Sequence, residues 1–147
     1  VAFAEYEVVI ERDAMSIYTF LLDPRNLASW RTGIRGVKLI SGAAGATGAV
    51  YRPLFAGTGG PADVDFALST TRPGAEIEFQ AIAGRMRVHG GYYLSTEGSS
   101  TRVRFALRCR PAVAALLSYP RVRRAMLAQV AELEQLKSVL EPRLAAA

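Results

Sequence analysis

The chain has 147 residues, half of them apolar, and 18 Lys and Arg against 13 Asp and Glu give it a net charge of +5. That length suits one domain, residues 1–147, with enough chain to bury a core without staples, and the modest Gly and Pro content excludes a fibrous or disordered polymer. Cys109 has no second cysteine to pair with, no apolar run reaches the roughly 18 residues of a membrane span, and "VAFAEYEVVIERD" lacks the basic and apolar regions of a secretory signal, so the chain reads as cytoplasmic.

"FAEYEVVIE" alternates as a half-buried strand, with Phe3, Tyr6, Val8 and Ile10 assigned to the buried side and Glu5, Glu7 and Glu11 opposite. Asp13 suits the N-cap of a short helix, Ala14 to Leu22. Asp23 then caps a second one with Pro24 in its first turn, ending at Trp30, the only tryptophan. Gly, Ser and Pro separate six further strands: Gly36–Ser41, Gly48–Phe55, Ala62–Thr70, Ala75–Ala83, Arg85–Thr96 and Ser100–Arg110. "EGSS" joins the last two as a hairpin, and Gly90-Gly91 signals a bulge or a close backbone approach. From Tyr119 onward the period changes. Tyr119, Val122, Met126, Val130, Leu133, Leu136, Leu140 and Leu144 recur in steps of three and four, marking one amphipathic helix, capped by Ser118 and ended near Pro142. A strand, two short helices, six strands and a long helix make an α+β two-layer domain with its helices on an antiparallel sheet.

This order of elements, with "DPRNLASW" after the first helix, "GAVYRP", "RVHGGYYLSTEGSSTRVRFAL" and "LEQLKSVLE", resembles the START-like (SRPBCC) superfamily of helix-grip proteins. That superfamily includes polyketide cyclase/dehydrase proteins, birch-pollen-allergen relatives and lipid-transfer START domains. The resemblance spans nearly the whole chain and marks turns and core positions. It implies a seven-stranded curved sheet around the C-terminal helix, with an apolar cavity between them. It does not choose among carriers, sensors and cyclases.

Strand alternation assigns inward faces. Val64, Phe66 and Leu68 share one; so do Ile77, Phe79 and Ala81, then Met86, Val88, Gly90, Tyr92 and Leu94, then Val103, Phe105, Leu107 and Cys109. Tyr51 and Phe55 are taken as inward because the other phase would bury Arg52. Met126, Val130 and Leu133 face them from the helix. Any of these side chains can be plain core; as a set, with small residues at Ala81, Ala83, Gly90 and Gly91, they outline a ligand cavity. The candidate lining is Trp30, Tyr51, Phe55, Phe66, Phe79, Met86, Val88, Tyr92, Phe105, Met126, Val130 and Leu133. Tyr51 and Tyr92 are its polar groups. Trp30 either lines or plugs one end, or anchors the short helices.

The basic excess, with a pI near 9.8, is largely cross-strand decoration. Arg102, Arg104, Arg108 and Arg110 face outward beside Glu5, Glu7 and Glu11, and Arg85 and Arg87 face outward beside Glu76 and Glu78. "RVRR", Arg121 to Arg124, is a solvated helix face, and nothing marks a nucleic-acid site. His89 points outward and one histidine makes no metal site; Cys109 is a buried hydrophobe; Asp63 and Asp65 form no acid–base pair. No cofactor or metal is called for. The function read from this is sequestration of a hydrophobic small molecule (a lipid, polyketide or other aromatic or isoprenoid metabolite), gated by "AGTGGP" and the short helices, in a monomer or in a homodimer joined at the Gly36–Ser41 edge. The alternative is a cyclase/dehydrase-type enzyme using Tyr51, Tyr92 and His89. A regulatory module meeting a protein partner is a third class, favoured by a solid core.

Overall fold

The computed structural model describes residues 2–57, 64–82, 87–110 and 119–141. Strand β1 (Ala2–Ile10) leads into α1 (Ala14–Leu22) and a 3-10 helix (Pro24–Ser29). Six strands follow: β2 (Ile34–Ser41), β3 (Val50–Phe55), β4 (Phe66–Arg72), β5 (Glu76–Ala81), β6 (Arg87–Glu97) and β7 (Ser100–Arg110). Helices α2 (Tyr119–Ala131) and α3 (Leu133–Leu140) end the described chain. The strands form one antiparallel sheet in the order β1-β7-β6-β5-β4-β3-β2, with the C-terminal helix on one face, which is the helix-grip arrangement the sequence implies.

The caps are the expected ones. The Asp13 carboxylate accepts from the Ser16 N–H at 3.0 Å and opens α1, and the Asp23 carboxylate accepts from the Arg25 N–H at 3.1 Å and opens the 3-10 helix. In the β6–β7 hairpin Glu97 pairs with Ser100, and Gly98 takes the left-handed φ of 63° that this tight turn needs. Ser118 and Pro142, read as helix cap and stop, lie outside the described residues, as do Asp63, Ala83, Arg85, Met86, Leu144 and most of "AGTGGP".

Three expectations about packing are corrected. Phe3 is not inward: it is 39% exposed, because it shares the parity of Glu5 and Glu7, while Ala2, Ala4, Val8 and Ile10 are buried. The C-terminal helix is not continuous, since Glu132 interrupts it. There the Glu132 N–H bonds to Gln129 O at 3.1 Å and the Gln135 N–H to Glu132 O at 2.8 Å, both of the tighter i to i+3 kind. The stripe survives the break: Met126, Val130, Leu133, Leu136 and Leu140 are all buried. Arg87 does not sit beside a glutamate; its cross-strand partner is Arg110.

The glycine pair on β6 makes no bulge, because its ladders to β5 and β7 run without a shift. It serves the close approach instead. A methyl group on Gly90 would collide with the Phe79 ring and lie 2.8 Å from Leu107 Cδ2, and one on Gly91 would lie 2.7 Å from the Tyr93 hydroxyl. Phe79 therefore fills the room that Gly90 was expected to leave, and Gly91 serves the opposite face. Gly90→Ala should lower stability by about 2 kcal/mol, a fall in Tm of roughly 4–8 °C. Adding Phe79→Leu should recover at least half of that loss in a calorimetric melt.

Candidate functional site

One side chain from each of five adjacent strands builds a row of rings across the inner face of the sheet. Phe105 on β7 lies 4.8 Å from Tyr92 on β6, and Tyr92 lies 5.7 Å from Phe79 on β5, between ring centroids. Phe66 on β4 follows at 5.8 Å, and Tyr51 on β3 stacks on Phe66 at 5.8 Å and 22°. Trp30, at the end of the 3-10 helix, meets the row edge-on, 6.0 Å from Phe105 and 6.1 Å from Tyr92. Such tilted and edge contacts suit the ring quadrupoles and add about 0.5–1.5 kcal/mol per pair to simple burial.

Burial along the row is uneven. Trp30, Tyr51, Tyr92 and Phe105 are closed off from solvent, with at most 4% exposure. Phe66, Phe79 and Val88 face the same way and remain half-buried, as do Tyr119 and Val122 on α2. Met126, Val130 and Leu133 are buried in the core on the helix side. Phe55 is half-buried at the end of β3. Met86 falls outside the described residues.

The polar groups expected in the cavity have different duties. The Tyr51 hydroxyl accepts from the Gly45 N–H at 2.9 Å and so holds the loop between β2 and β3. Tyr92 lies at the other end of the row. Burial pushes its phenol up to about 12, against the pull of the Arg31 guanidinium. His89 is exposed on the opposite face of the sheet, so the three candidate proton-transfer residues do not meet. Cys109 is buried, and burial raises its thiol.

Sequence reasoning passed over Arg31 and Glu132. The Arg31 Nε donates to Glu132 Oε1 at 3.0 Å, and both side chains are only 14% exposed. The Thr32 N–H donates to Glu132 Oε2 at 2.7 Å, and an Arg31 terminal nitrogen donates to Gln129 Oε1 at 3.3 Å. The guanidinium also rides 5.6 Å from the Trp30 ring centre and 5.7 Å from that of Phe105. One end of the aromatic row thus carries a cation, a neutral phenol and a carboxylate. The available signals were an arginine directly after the lone tryptophan and an acid flanking the helix stripe.

The architecture is a helix-grip fold, and solved structures share it. TTHA0849 from Thermus thermophilus superposes with a TM-score of 0.75 at 16% identity, over 92% of this chain and 94% of its own. The solution structure of the Aha1 dimer from Colwellia psychrerythraea gives 0.66 at 23% identity, over 96% and 97%. The di-domain ARO/CYC protein BexL from the BE-7585A biosynthetic pathway gives 0.70 at 16% identity; 97% of this chain is matched, spanning 48% of BexL. No protein-family model and no curated sequence matches this chain. Among the described residues no helix is long and apolar enough to cross a membrane.

Burial alone would raise the Glu132 carboxyl, but the donors from Thr32 and Arg31 together outweigh it and hold the group below its ordinary 4.5. A depressed carboxyl contributes stability above its unfolded value and loses that contribution as pH falls through the folded one. Glu132→Gln should cost about 2 kcal/mol at neutral pH. The gap to the parent chain should narrow once pH drops below about 4.5. Thermal melts of both chains between neutral and acidic pH measure it.

Proposed function

We propose that the chain, acting as a single cytoplasmic domain and as a monomer or homodimer, binds a hydrophobic small molecule between the sheet and the C-terminal helix. One observation carries this reading: Phe66, Phe79 and Val88 face the helix side of the sheet and are nevertheless left half-buried, while the Trp30 end of the same row is closed. A flat or chain-like apolar ligand laid on these side chains completes the row. Each 100 Å² of apolar surface it removes from water is worth about 2.5 kcal/mol. The polar groups at the closed end already bond to one another, which suits a carrier that selects by shape and apolarity. Lipids, polyketides and other aromatic metabolites are the ligand classes that fit.

A second reading rests on Tyr92 and Arg31. A phenol raised to about 12 stays protonated at physiological pH and acts as a hydrogen-bond donor, not as a base. Beside a fixed guanidinium it forms a donor pair that can stabilise a developing enolate oxygen, the charge that a cyclase acting on a bound polyketone must handle. The likeness in fold to BexL, a di-domain ARO/CYC protein, favours this reading.

Trp30 is the only tryptophan and touches the row, so its emission reports on the site. Titration with a panel of fatty acids and planar polycyclic phenols should quench it, and native mass spectrometry should show a one-to-one complex. Val88→Trp, which fills space beside the half-buried rings, should weaken binding about tenfold or more. Unchanged emission and a ligand-free mass across the panel would sink the proposal. If a poly-β-ketone mimic is also turned over, Tyr92→Phe should lower kcat at least tenfold with little change in KM; a parent chain that binds the mimic without converting it leaves the carrier reading alone.

A further inference from the structure

The other face of the sheet carries a second concavity. A groove of about 640 Å³ lies there, within the range of small-molecule sites, between Phe3, Tyr93, His89, Arg87, Arg108 and Arg110. Its floor is low where Ala106 is small, and Phe3, 39% exposed, forms an apolar wall.

Four other arginines on this face pair with carboxylates. Arg102 pairs with Glu7 and Glu97, Arg104 with Glu5, Arg52 with Asp65, and Arg72 with Glu76. At the groove the register instead sets Arg87 directly opposite Arg110 and, one row along, His89 opposite Arg108. Like charges facing one another across strands are destabilising. Among the described residues Arg87, Arg108 and Arg110 have no acidic partner, and Glu78, the carboxylate lining the groove, is engaged by the Tyr93 hydroxyl at 2.7 Å. The neighbouring sequence supplies none: segments 83–86 and 111–118 contain no Asp or Glu. Strand geometry puts the three arginine backbones within about 5–8 Å of one another. Guanidinium forks at that spacing suit an anion that offers several oxygens at once, as a phosphate does.

We propose that this groove is a binding site for a small phosphate-bearing molecule with a flat apolar group, the phosphate held by Arg87, Arg108 and Arg110 and the apolar part lying against Phe3 and Tyr93. It is separate from the inner site, on the far side of the sheet, and stands whether or not that site holds a ligand.

The probe is 1-naphthyl phosphate, followed by amide NMR and calorimetry at low salt. Saturable shifts are expected at residues 87–91 and 106–110. Affinity should drop about tenfold for Arg108→Gln and again for Arg110→Gln, fall with added salt, and be at least tenfold weaker for 1-naphthol. The Arg123→Gln/Arg124→Gln variant on α2 should bind like the parent. These arginines are exposed, so the variants are expected to melt as the parent does, and Arg87→Gln serves if one does not. Absence of saturable shifts, equal binding by the groove variants, or shifts confined to Phe66 and Phe79 would overturn the proposal. So would binding to phosphatidylglycerol vesicles or an RNA oligonucleotide without binding to the soluble phosphate.

Discussion

Glu132 joins parts of the chain that are a hundred residues apart. Its two carboxylate oxygens receive Arg31 and the Thr32 N–H, and so fasten the turn after the 3-10 helix to the point where the C-terminal helix breaks. The break and the contact belong together. A carboxylate committed to two donors on a neighbouring loop is drawn out of the regular helix path, and the local i to i+3 bonds accommodate it. Arg31, held from this side, can lie over Trp30 and Phe105, and Trp30 in turn closes one end of the aromatic row. Coulomb attraction in a partly dry setting is strong, but desolvation of both ions offsets much of it, so the value of the pair lies as much in geometry as in net stability.

The aromatic row follows from register. Tyr92 stands opposite Phe105, and Tyr51 opposite Phe66, so each such pair presents two rings on one face. Phe79 stands opposite Gly90, which has no side chain to keep it off the sheet. The ring lies down there and bridges Tyr92 to Phe66. A solid interior and a ligand-binding one can share this arrangement. What separates them is coverage, and the described chain closes both ends of the row while leaving Phe79 and Phe66 between them half-buried.

Much of this architecture was legible in the sequence. The caps at Asp13 and Asp23, the β6–β7 hairpin, the apolar stripe of the C-terminal helix and the pairing of β1 glutamates with β7 arginines all rest on local periodicity or on charge alternation, which survive in one dimension. The errors share a cause as well. Placing Phe3 inside credited its size over its parity. Treating Gly90 as empty space ignored that a ring from the next strand can occupy it. The Arg31–Glu132 contact left only separate local signals, an arginine after the lone tryptophan and an acid beside the helix stripe, and nothing in the chain states that the two meet. The roles of Tyr51 and Tyr92 were not separable either: both are inward tyrosines, and only the fold gives one hydroxyl to a loop amide and sets the other beside a guanidinium.

The two glycines of β6 carry aromatic rings on opposite faces, Phe79 over Gly90 and Tyr93 over Gly91, so the sheet at this point is a single backbone sandwiched between two rings. For the history of the chain this means linked inheritance. A larger residue at position 90 is admissible only after the ring at 79 has shrunk or turned away, and position 91 is tied to 93 in the same manner. Four residues on two strands therefore drift as two coupled pairs, and a lineage that rebuilds its inner face must pass through a change at Gly90 or leave Phe79 where it is.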